Sequence, residues 1–193
     1  MKYDMSSLWI TLAGGREKAN LVLVSMHRAL WVVGLLLVSA ALLRAAPVSA
    51  SVYSVSGTVE FAGPGSSSFA PPQKGQILAI GTTIRTGDDG IVIMVTTPGS
   101  AVQLGNDSIL KLTALAFTKS GGAVTERKAD LQLNSGVISA LIDPSTPKVT
   151  DFKIQTPQGA AAARGTFFAV LVYHGKTYVG VKEGHVVPTA SGP

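Results

Sequence analysis

The sequence contains no cysteine, and it is poor in charged and aromatic residues. Because none of its 193 positions is cysteine, disulfide bridges, thiolate metal sites and thiol nucleophiles are all excluded. Charged residues make up 14% of the chain, against roughly 25% in an average soluble domain. Aromatic residues make up 6%, and both tryptophans, Trp9 and Trp31, lie before residue 50, so stacking platforms for sugars or bases are not expected.

One uncharged apolar run, residues 29–43, lies near the N-terminus. It follows His27 and Arg28 and precedes the small residues Ser49 and Ala50, which is the layout of a secretory signal. We predict cleavage after Ala50. A membrane-spanning helix needs about 20 apolar residues, so this run is short for one, and an uncleaved membrane anchor is the alternative.

The expected domain organisation has three parts. Residues 1–25 form an upstream extension or a short cytoplasmic segment, residues 26–50 a signal peptide or membrane anchor, and residues 51–193 a β-domain. Met26 would itself begin a signal of ordinary proportions, and we hypothesise that translation starts there. The expected location is periplasmic or extracellular.

The positive net charge does not indicate a nucleic-acid partner. The formal charge is +5, but residues 1–50 hold five of the basic residues and two of the acidic ones. The remaining eleven basic and nine acidic residues show no cluster of one sign. We therefore expect no nucleic-acid binding, and membrane contact only through an uncleaved signal segment.

After residue 50 the pattern is typical of strands and turns. Residues 52–61 alternate apolar with polar or small side chains, and residues 91–95 are a continuous apolar run that predicts a strand covered on both faces. Residues 118–128 are polar and predict a flexible hairpin loop or an insertion, and residues 134–136 predict a turn. His174 and Gly175 lie at the bend of a predicted hairpin. The domain is predicted to be all-β.

Several phrases in fixed order resemble the FecR domain, a periplasmic sensor-type module of bacterial iron-uptake regulators. In chain order they are residues 75–81, 83–90, 91–95, 99–104, 108–112, 131–136, 152–157, 164–170 and 179–184. The resemblance covers residues 51–187 and implies a twisted, solenoid-like stack of short strands, with a two-sheet β-sandwich as the alternative. The expected turn glycines are Gly75, Gly81, Gly87, Gly90, Gly136, Gly165 and Gly184.

The candidate chemical groups are few, and each has a simpler structural interpretation. His174 and His185 offer metal ligands, and the turns at residues 88–90 and 106–107 offer oxygen ligands for calcium, but turns need these residue types anyway. Arg164, beside Gly165, is interpreted as a solvated or internally paired side chain. No G-x-S-x-G elbow follows Ala50. We expect no catalytic residues, no cofactor and no metal.

The sequence therefore predicts an exported, non-enzymatic interaction or signalling module of the cell envelope. Its partner is expected to be a protein or another envelope component, bound through the strands or through the loops at residues 63–74 and 118–128. A structural envelope protein that assembles through exposed β-edges is the alternative. Residues 1–25 are few for a domain that binds a sigma factor, so the resemblance supports only the exported module.

Overall fold

The computed structural model describes residues 48–190, and they form an all-β domain, as predicted. One short 3-10 helix, Pro147–Val149, is the exception to the strands. The strands are β1 (Ala50–Ser56), β2 (Val59–Ala62), β3 (Ile77–Leu78), β4 (Thr83–Thr86), β5 (Ile91–Thr97), β6 (Ser100–Leu104), β7 (Ile109–Ser120), β8 (Ala123–Ile142), β9 (Thr150–Thr156), β10 (Gly159–Ala163), β11 (Phe167–Tyr173), β12 (Lys176–Glu183) and β13 (Val186–Ala190).

The apolar run at residues 29–43 lies outside the described residues, as do the expectations attached to residues 1–47. Within residues 48–190, no helix is long and apolar enough to span a membrane. Ala50, the expected cleavage position, is the first residue of β1, where it is buried and lies opposite Leu78. The cleavage after Ala50 stays a prediction.

The strands form one curled open sheet whose two halves share β8. We call the half with strand order β3-β1-β5-β6-β8-β11-β12 sheet 1, and the half with order β2-β4-β7-β8-β9-β10-β13 sheet 2. Neighbouring strands are antiparallel, except that β8 and β9 are parallel. This lateral pairing differs from a solenoid-like stack of short strands. The halves face each other as in a sandwich, but β8 continues from one into the other.

β8 passes between the two halves at Gly136. Its buried side chains lie at odd positions up to Leu133 and at even positions from Ile138, so the alternation changes phase between them. Before Gly136 the strand pairs with β7 and β9, and after it with β6 and β11. The prediction of a turn at residues 134–136 is wrong. β8 stays a strand through this segment because it pairs with neighbouring strands on both sides.

Side chains from both halves meet in one hydrophobic core. Phe152 of β9 and Phe168 of β11 lie in different halves, and their ring centroids are 6.2 Å apart in an edge-to-face arrangement. Such a pair contributes about 1 kcal/mol beyond its buried area. The largest fully buried side chains are Phe152, Phe168, Leu78, Ile84, Met94, Leu104, Leu110, Leu112, Leu131, Leu133, Ile138 and Ile142.

Two local predictions fail for physical reasons. Residues 118–128 are paired strand with a turn at Gly121 and Gly122, and they look like a loop in the sequence because the hairpin tip extends beyond the core and is polar on both faces. The strand Gly159–Ala163 was not predicted, since alanine has little β-propensity. It forms because Ala161 and Ala163 fill narrow positions in the core.

The apolar run at residues 91–95 is a strand, as predicted, but the core covers only one of its faces. Val92 and Met94 are buried, whereas Ile91 is 40% exposed and Ile93 and Val95 are partly exposed. The prediction that both faces are covered is therefore wrong for the described residues. The outward side chains of this strand belong to a larger apolar surface.

Candidate functional site

The outward face of sheet 2 is polar and carries charges of both signs. Its charged side chains include Glu60, Arg85, Lys111, Lys128, Asp130 and Lys153. Arg85 Nε lies 2.6 Å from Glu60 Oε2, and Lys128 Nζ lies 3.5 Å from Asp130 Oδ2. This is the ordinary composition of a strand face in contact with water.

The outward face of sheet 1 is different, because four neighbouring strands place no charged side chain on it. We name this surface the apolar face. Leu141, which is 59% exposed, lies opposite Ala101 on one side and Phe167 on the other. The outward side chains that define the face are Ile91, Ile93, Val95, Ala101, Gln103, Val137, Ser139, Leu141, Phe167, Ala169, Leu171 and Tyr173.

The apolar face has a polar centre and a shallow groove at one end. Gln103 lies opposite Ser139, and they are the polar members of the row that runs from Ile93 to Ala169. The groove has a volume of about 420 Å³ and is lined in part by Val95, Ala101, Leu141 and Pro144. A few polar groups within an apolar surface are typical of protein–protein interfaces.

A second concave region lies where sheet 2 meets the turns around β11 and β12. It is an open cavity of about 520 Å³, and Asp151, Arg164 and His185 contribute its ionisable side chains. Arg164 and His185 are exposed. The structure thus brings Arg164, His185 and the two predicted glycines Gly165 and Gly184 to one cavity.

The two glycine turns at this cavity pack against each other. Gly165 has φ of +78°, and a Cβ on it would lie 2.6 Å from Pro144 Cα. Gly184 has φ of +85°, and a Cβ there would lie 2.8 Å from Thr166 Cβ. The Thr166 hydroxyl donates a hydrogen bond to the carbonyl of Glu183. This contact brings together in the structure two sequence motifs that are distant in the chain, residues 164–166 and 183–184.

The other predicted glycines lie at the edges of strands or within β8. Gly75 and Gly81 have positive φ and flank β3, while Gly136 has positive φ inside β8. Gly87 and Gly90 pack against Thr58. Gly75, Gly81, Gly87 and Gly90 thus shape turns, whereas Gly136 lies within a continuous strand and is not a turn residue.

The two candidate histidine ligands do not converge in the described part of the chain, whereas the two acidic turns are joined by a hydrogen bond of 3.0 Å from Asp107 N–H to the Gly87 carbonyl. His174 lies at the start of the hairpin turn before β12, with its ring 4.1 Å from that of Tyr173, and His185 lies beyond the far end of β12. Eight strand residues separate the two imidazoles, so they cannot share one ion. Within residues 48–190, no three histidine, aspartate or glutamate side chains are grouped closely enough to hold a metal.

The acidic turn at residues 88–90 serves a structural purpose. Asp89 Oδ1 accepts a hydrogen bond of 2.9 Å from the backbone N–H of Thr58. Hydrogen bonds from Thr58 lower the pKa of the Asp89 carboxyl below its usual value. The carboxylate therefore ties this turn to the start of β2.

The loop at residues 63–74, predicted as a partner-binding loop, folds back on β2. Phe61 and Ala70 exchange two backbone hydrogen bonds of 2.8 and 3.0 Å. Phe69 lies under the Arg85 guanidinium, 3.9 Å from the ring centroid to Cζ. The loop thus shields the free edge of β2.

The apolar face was missed in the sequence, although a signal for it was present. The uncharged segments at residues 91–95, 137–142 and 167–173 all form strands of sheet 1. Each segment by itself predicts a strand, that at residues 91–95 with both faces covered, and only the side-by-side pairing of the strands makes their outward residues one surface. That pairing joins residues far apart in the chain, and local periodicity does not report it.

Comparison with known families finds a match over most of the described domain. A family model described as FecR protein matches residues 82–187, more than half of the chain, and this span includes every strand of the apolar face and both packed glycine turns. No curated protein and no solved structure matches the chain significantly. The FecR family is a regulatory and signalling family of envelope-associated proteins and is not an enzyme family. The chain belongs to the FecR family.

Proposed function

We propose that the chain is exported and that its β-domain is a non-enzymatic protein-interaction module in envelope signalling, with the apolar face as the docking surface for a partner protein. The observation that supports this most is the composition of that face. Leu141, Leu171 and Tyr173 are exposed, and the strands β5, β6, β8 and β11 put no charge around them. Exposed apolar patches on one side of a protein mark interaction sites.

The polar centre of the face favours a protein partner over a lipid surface. Gln103 and Ser139 lie side by side among apolar neighbours. A protein surface can supply hydrogen-bond partners to both side chains, whereas bilayer hydrocarbon would leave them unsatisfied at a cost of several kcal/mol. The groove beside Leu141 provides a position for one anchoring side chain of the partner.

Replacement of Leu141 and Leu171 by lysine is expected to abolish docking without unfolding the domain. Both side chains are exposed, at 59% and 38%, so lysine is accepted there in the free protein. In the complex each lysine would be desolvated against an apolar surface, and we expect at least a tenfold loss of affinity. The measurement is photo-cross-linking in the native host, from a photoreactive residue at position 101, followed by quantification of the cross-linked species.

Ile109→Lys is the matched control for this experiment. Ile109 is 40% exposed, is also a large aliphatic strand residue, and lies on the charged face of sheet 2 opposite Arg85. The cross-linked species should persist in this variant and disappear in the variant with Leu141→Lys and Leu171→Lys. Equal yields in both variants would place the partner elsewhere and contradict the proposed docking surface.

Export is tested separately on the full chain. We expect cell fractionation to recover the protein outside the cytoplasm, with Ser51 as its N-terminal residue when the mature form is sequenced by mass spectrometry. A membrane-bound product that retains residues 29–43 would show an uncleaved anchor and refute the cut after Ala50. Recovery in the cytoplasm alone would refute export.

A further inference from the structure

We propose that β12 is an open sheet edge to which an extended segment of a partner protein adds as an eighth strand of sheet 1. This inference rests on the proposed function and names a binding mode and the chemistry of the bound segment. The segment would carry apolar side chains at alternate positions and a carboxylate beside Lys176. Strand addition of this kind obtains affinity from main-chain hydrogen bonds and specificity from alternate side chains.

The curled sheet has four edge strands; a loop covers one of them, β2, and another, β3, is very short. β2 is covered because Phe61 and Ala70 already exchange backbone hydrogen bonds. β3 has only two residues, and the segment before it bonds to β1 through Gly75 N–H to the Val52 carbonyl, at 2.8 Å. Short and covered edges are the usual protection against unwanted strand pairing.

The third edge, β13, is interrupted by proline. Pro188 lies opposite Ala161 in the middle of the five-residue strand. Because proline has no N–H, an added strand could not form a continuous ladder along β13. This edge is therefore blocked at its centre.

The fourth edge, β12, has none of these protections over its first six residues. Within residues 48–190 it pairs with β11 alone, and it contains no proline. In the two-residue turn between β11 and β12, Tyr173 lies opposite Lys176, and such a closing pair exchanges hydrogen bonds. The N–H and C=O groups of Lys176, Tyr178 and Gly180 therefore point towards β11. The N–H and C=O groups of Thr177, Val179 and Val181 then point away from the sheet.

The side chains of β12 show which face an added strand would continue. The Thr177 hydroxyl lies 2.9 Å from Thr156 Oγ1 and 2.6 Å from Gln158 Oε1, so the odd positions face the interior. Tyr178 is 51% exposed and lies opposite Leu171, which belongs to the apolar face. An added strand would therefore extend the apolar face, and its outward side chains should be apolar.

The charges along β12 favour an acidic group at one end of the bound segment. Lys176 is exposed beside Tyr173 and His174, with no acidic partner among the described ion pairs. At the other end Lys182 lies with its Nζ 5.3 Å from the centre of the Phe167 ring and has Glu183 as its chain neighbour. Lys176 has no acidic chain neighbour, so the positive charge at its end of β12 is the less compensated of the two.

The same charges disfavour one pairing of β12 with a second copy of this chain. An antiparallel pair of β12 strands can be centred on Val179, with seven of the eight residues of each strand in the overlap. This register places Lys176 of each copy directly opposite Lys182 of the other. Like charges that lie directly opposite on one sheet face are destabilising.

The test measures binding of defined peptides to the full chain, purified in a mild detergent. The probe is a fluorescein-labelled eight-residue peptide with aspartate at both ends and alternating valine and threonine between them, measured by fluorescence anisotropy. We expect saturable binding to the native chain and at least tenfold weaker binding to Val179→Pro, which removes an outward N–H. Val179→Thr, the matched control, keeps that N–H and should bind within twofold of the native chain.

A charge swap and a hydrogen-exchange measurement complete the test. Lys176→Glu should bind the acidic peptide at least threefold more weakly and should prefer the same peptide with lysine at its ends. In the native chain the amides of Thr177, Val179 and Val181 should gain protection on peptide binding, while those of Lys176 and Tyr178, already paired with β11, should not. Because hydrogen exchange is measured on the native chain, it shows whether the peptide adds along β12 even if Val179→Pro does not fold.

Three outcomes would overturn the inference. They are the absence of saturable binding to the native chain, equal binding by Val179→Pro and Val179→Thr, and a dimer of the full chain that Val179→Pro dissociates. The proposed docking function fails independently of these outcomes. Cross-linking that is lost with Leu141→Lys and Leu171→Lys but kept in Val179→Pro would leave the docking function standing and refute strand addition alone.

Discussion

Replacement of Gly136 by alanine is expected to lower the free energy of unfolding by about 4 kcal/mol, enough to unfold a domain of ordinary stability. Gly136 has φ of +87°, and a Cβ there would lie 2.5 Å from Ser108 Cα and overlap the Ser108 hydroxyl. That hydroxyl accepts a hydrogen bond of 2.9 Å from Val137 N–H and donates one of 2.9 Å to the Asn106 carbonyl. The added methyl group would displace Ser108 and break the network at the bend of β8.

Gly122→Ala is the control that separates backbone strain from steric overlap. Gly122 has nearly the same φ, +83°, but lies at the tip of the hairpin between β7 and β8 with no atom within 4 Å of a Cβ. We expect it to cost about 1 kcal/mol, the conformational penalty alone. Urea unfolding of both full-length variants, followed by circular dichroism, gives the comparison. Equal costs for the two variants would show that the contact with Ser108 contributes nothing.

Turns and hairpins could be predicted because their signals are local. His174 and Gly175 both have positive φ, +47° and +69°, as a two-residue hairpin turn with the right twist requires. The turn at residues 88–90 is closed by a hydrogen bond of 3.1 Å from Gly90 N–H to the Gly87 carbonyl. In each case neighbouring residue types determine the conformation.

The path of β8 and the docking surface could not be predicted, because both depend on distant partners. The polar residues 118–128 form strand because the end of β7 pairs with the start of β8 and, from Arg127 onwards, β8 also pairs in parallel with β9, whose residues lie more than twenty positions away. Ser135 and Gly136 look like a turn locally, but β7 and β11 pair with the strand on either side of them. The apolar run at residues 91–95 did indicate two covered faces. The described residues cover only one face of this strand. We propose that a partner protein covers the other face.

Arg127→Ala is expected to lower the free energy of unfolding by about 3 kcal/mol. The Arg127 side chain is 5% exposed, although its sequence neighbourhood is polar. Its Nη1 donates to the Asp143 carbonyl at 3.4 Å and to Thr150 Oγ1 at 3.3 Å, and its Nη2 lies 3.5 Å from Asp143 Oδ2. The guanidinium thereby joins β8 and β9 in sheet 2 to the turn after β8, which borders sheet 1.

Arg127→Met tests whether the packing or the charge of this side chain matters more. Methionine keeps most of the apolar stem, and Asp143, at 40% exposure, can be solvated once the cation is gone. Replacement of a buried charge by an apolar residue of similar volume is often close to neutral, so we expect a cost of about 1 kcal/mol or less. A change below about 0.5 kcal/mol in Arg127→Ala, as for an ordinary surface position, would contradict the assigned role.

At acid pH, the difference in the free energy of unfolding between the native chain and Arg127→Ala should become smaller. The pKa of the Asp143 carboxyl is lowered first by hydrogen bonds from the Ser145 N–H and hydroxyl, and further by Arg127. A carboxyl with a lowered folded pKa stabilises the fold above its unfolded pKa, about 3.9, and this contribution is lost as the pH falls through the folded value. Protonation of Asp143 removes the ion pair from the native chain, and the variant has none to lose. Urea unfolding at a series of pH values, from neutral downwards, therefore gives a difference between the two free energies of unfolding that shrinks as the pH falls through the folded pKa of Asp143, if Arg127 and Asp143 interact as their geometry indicates.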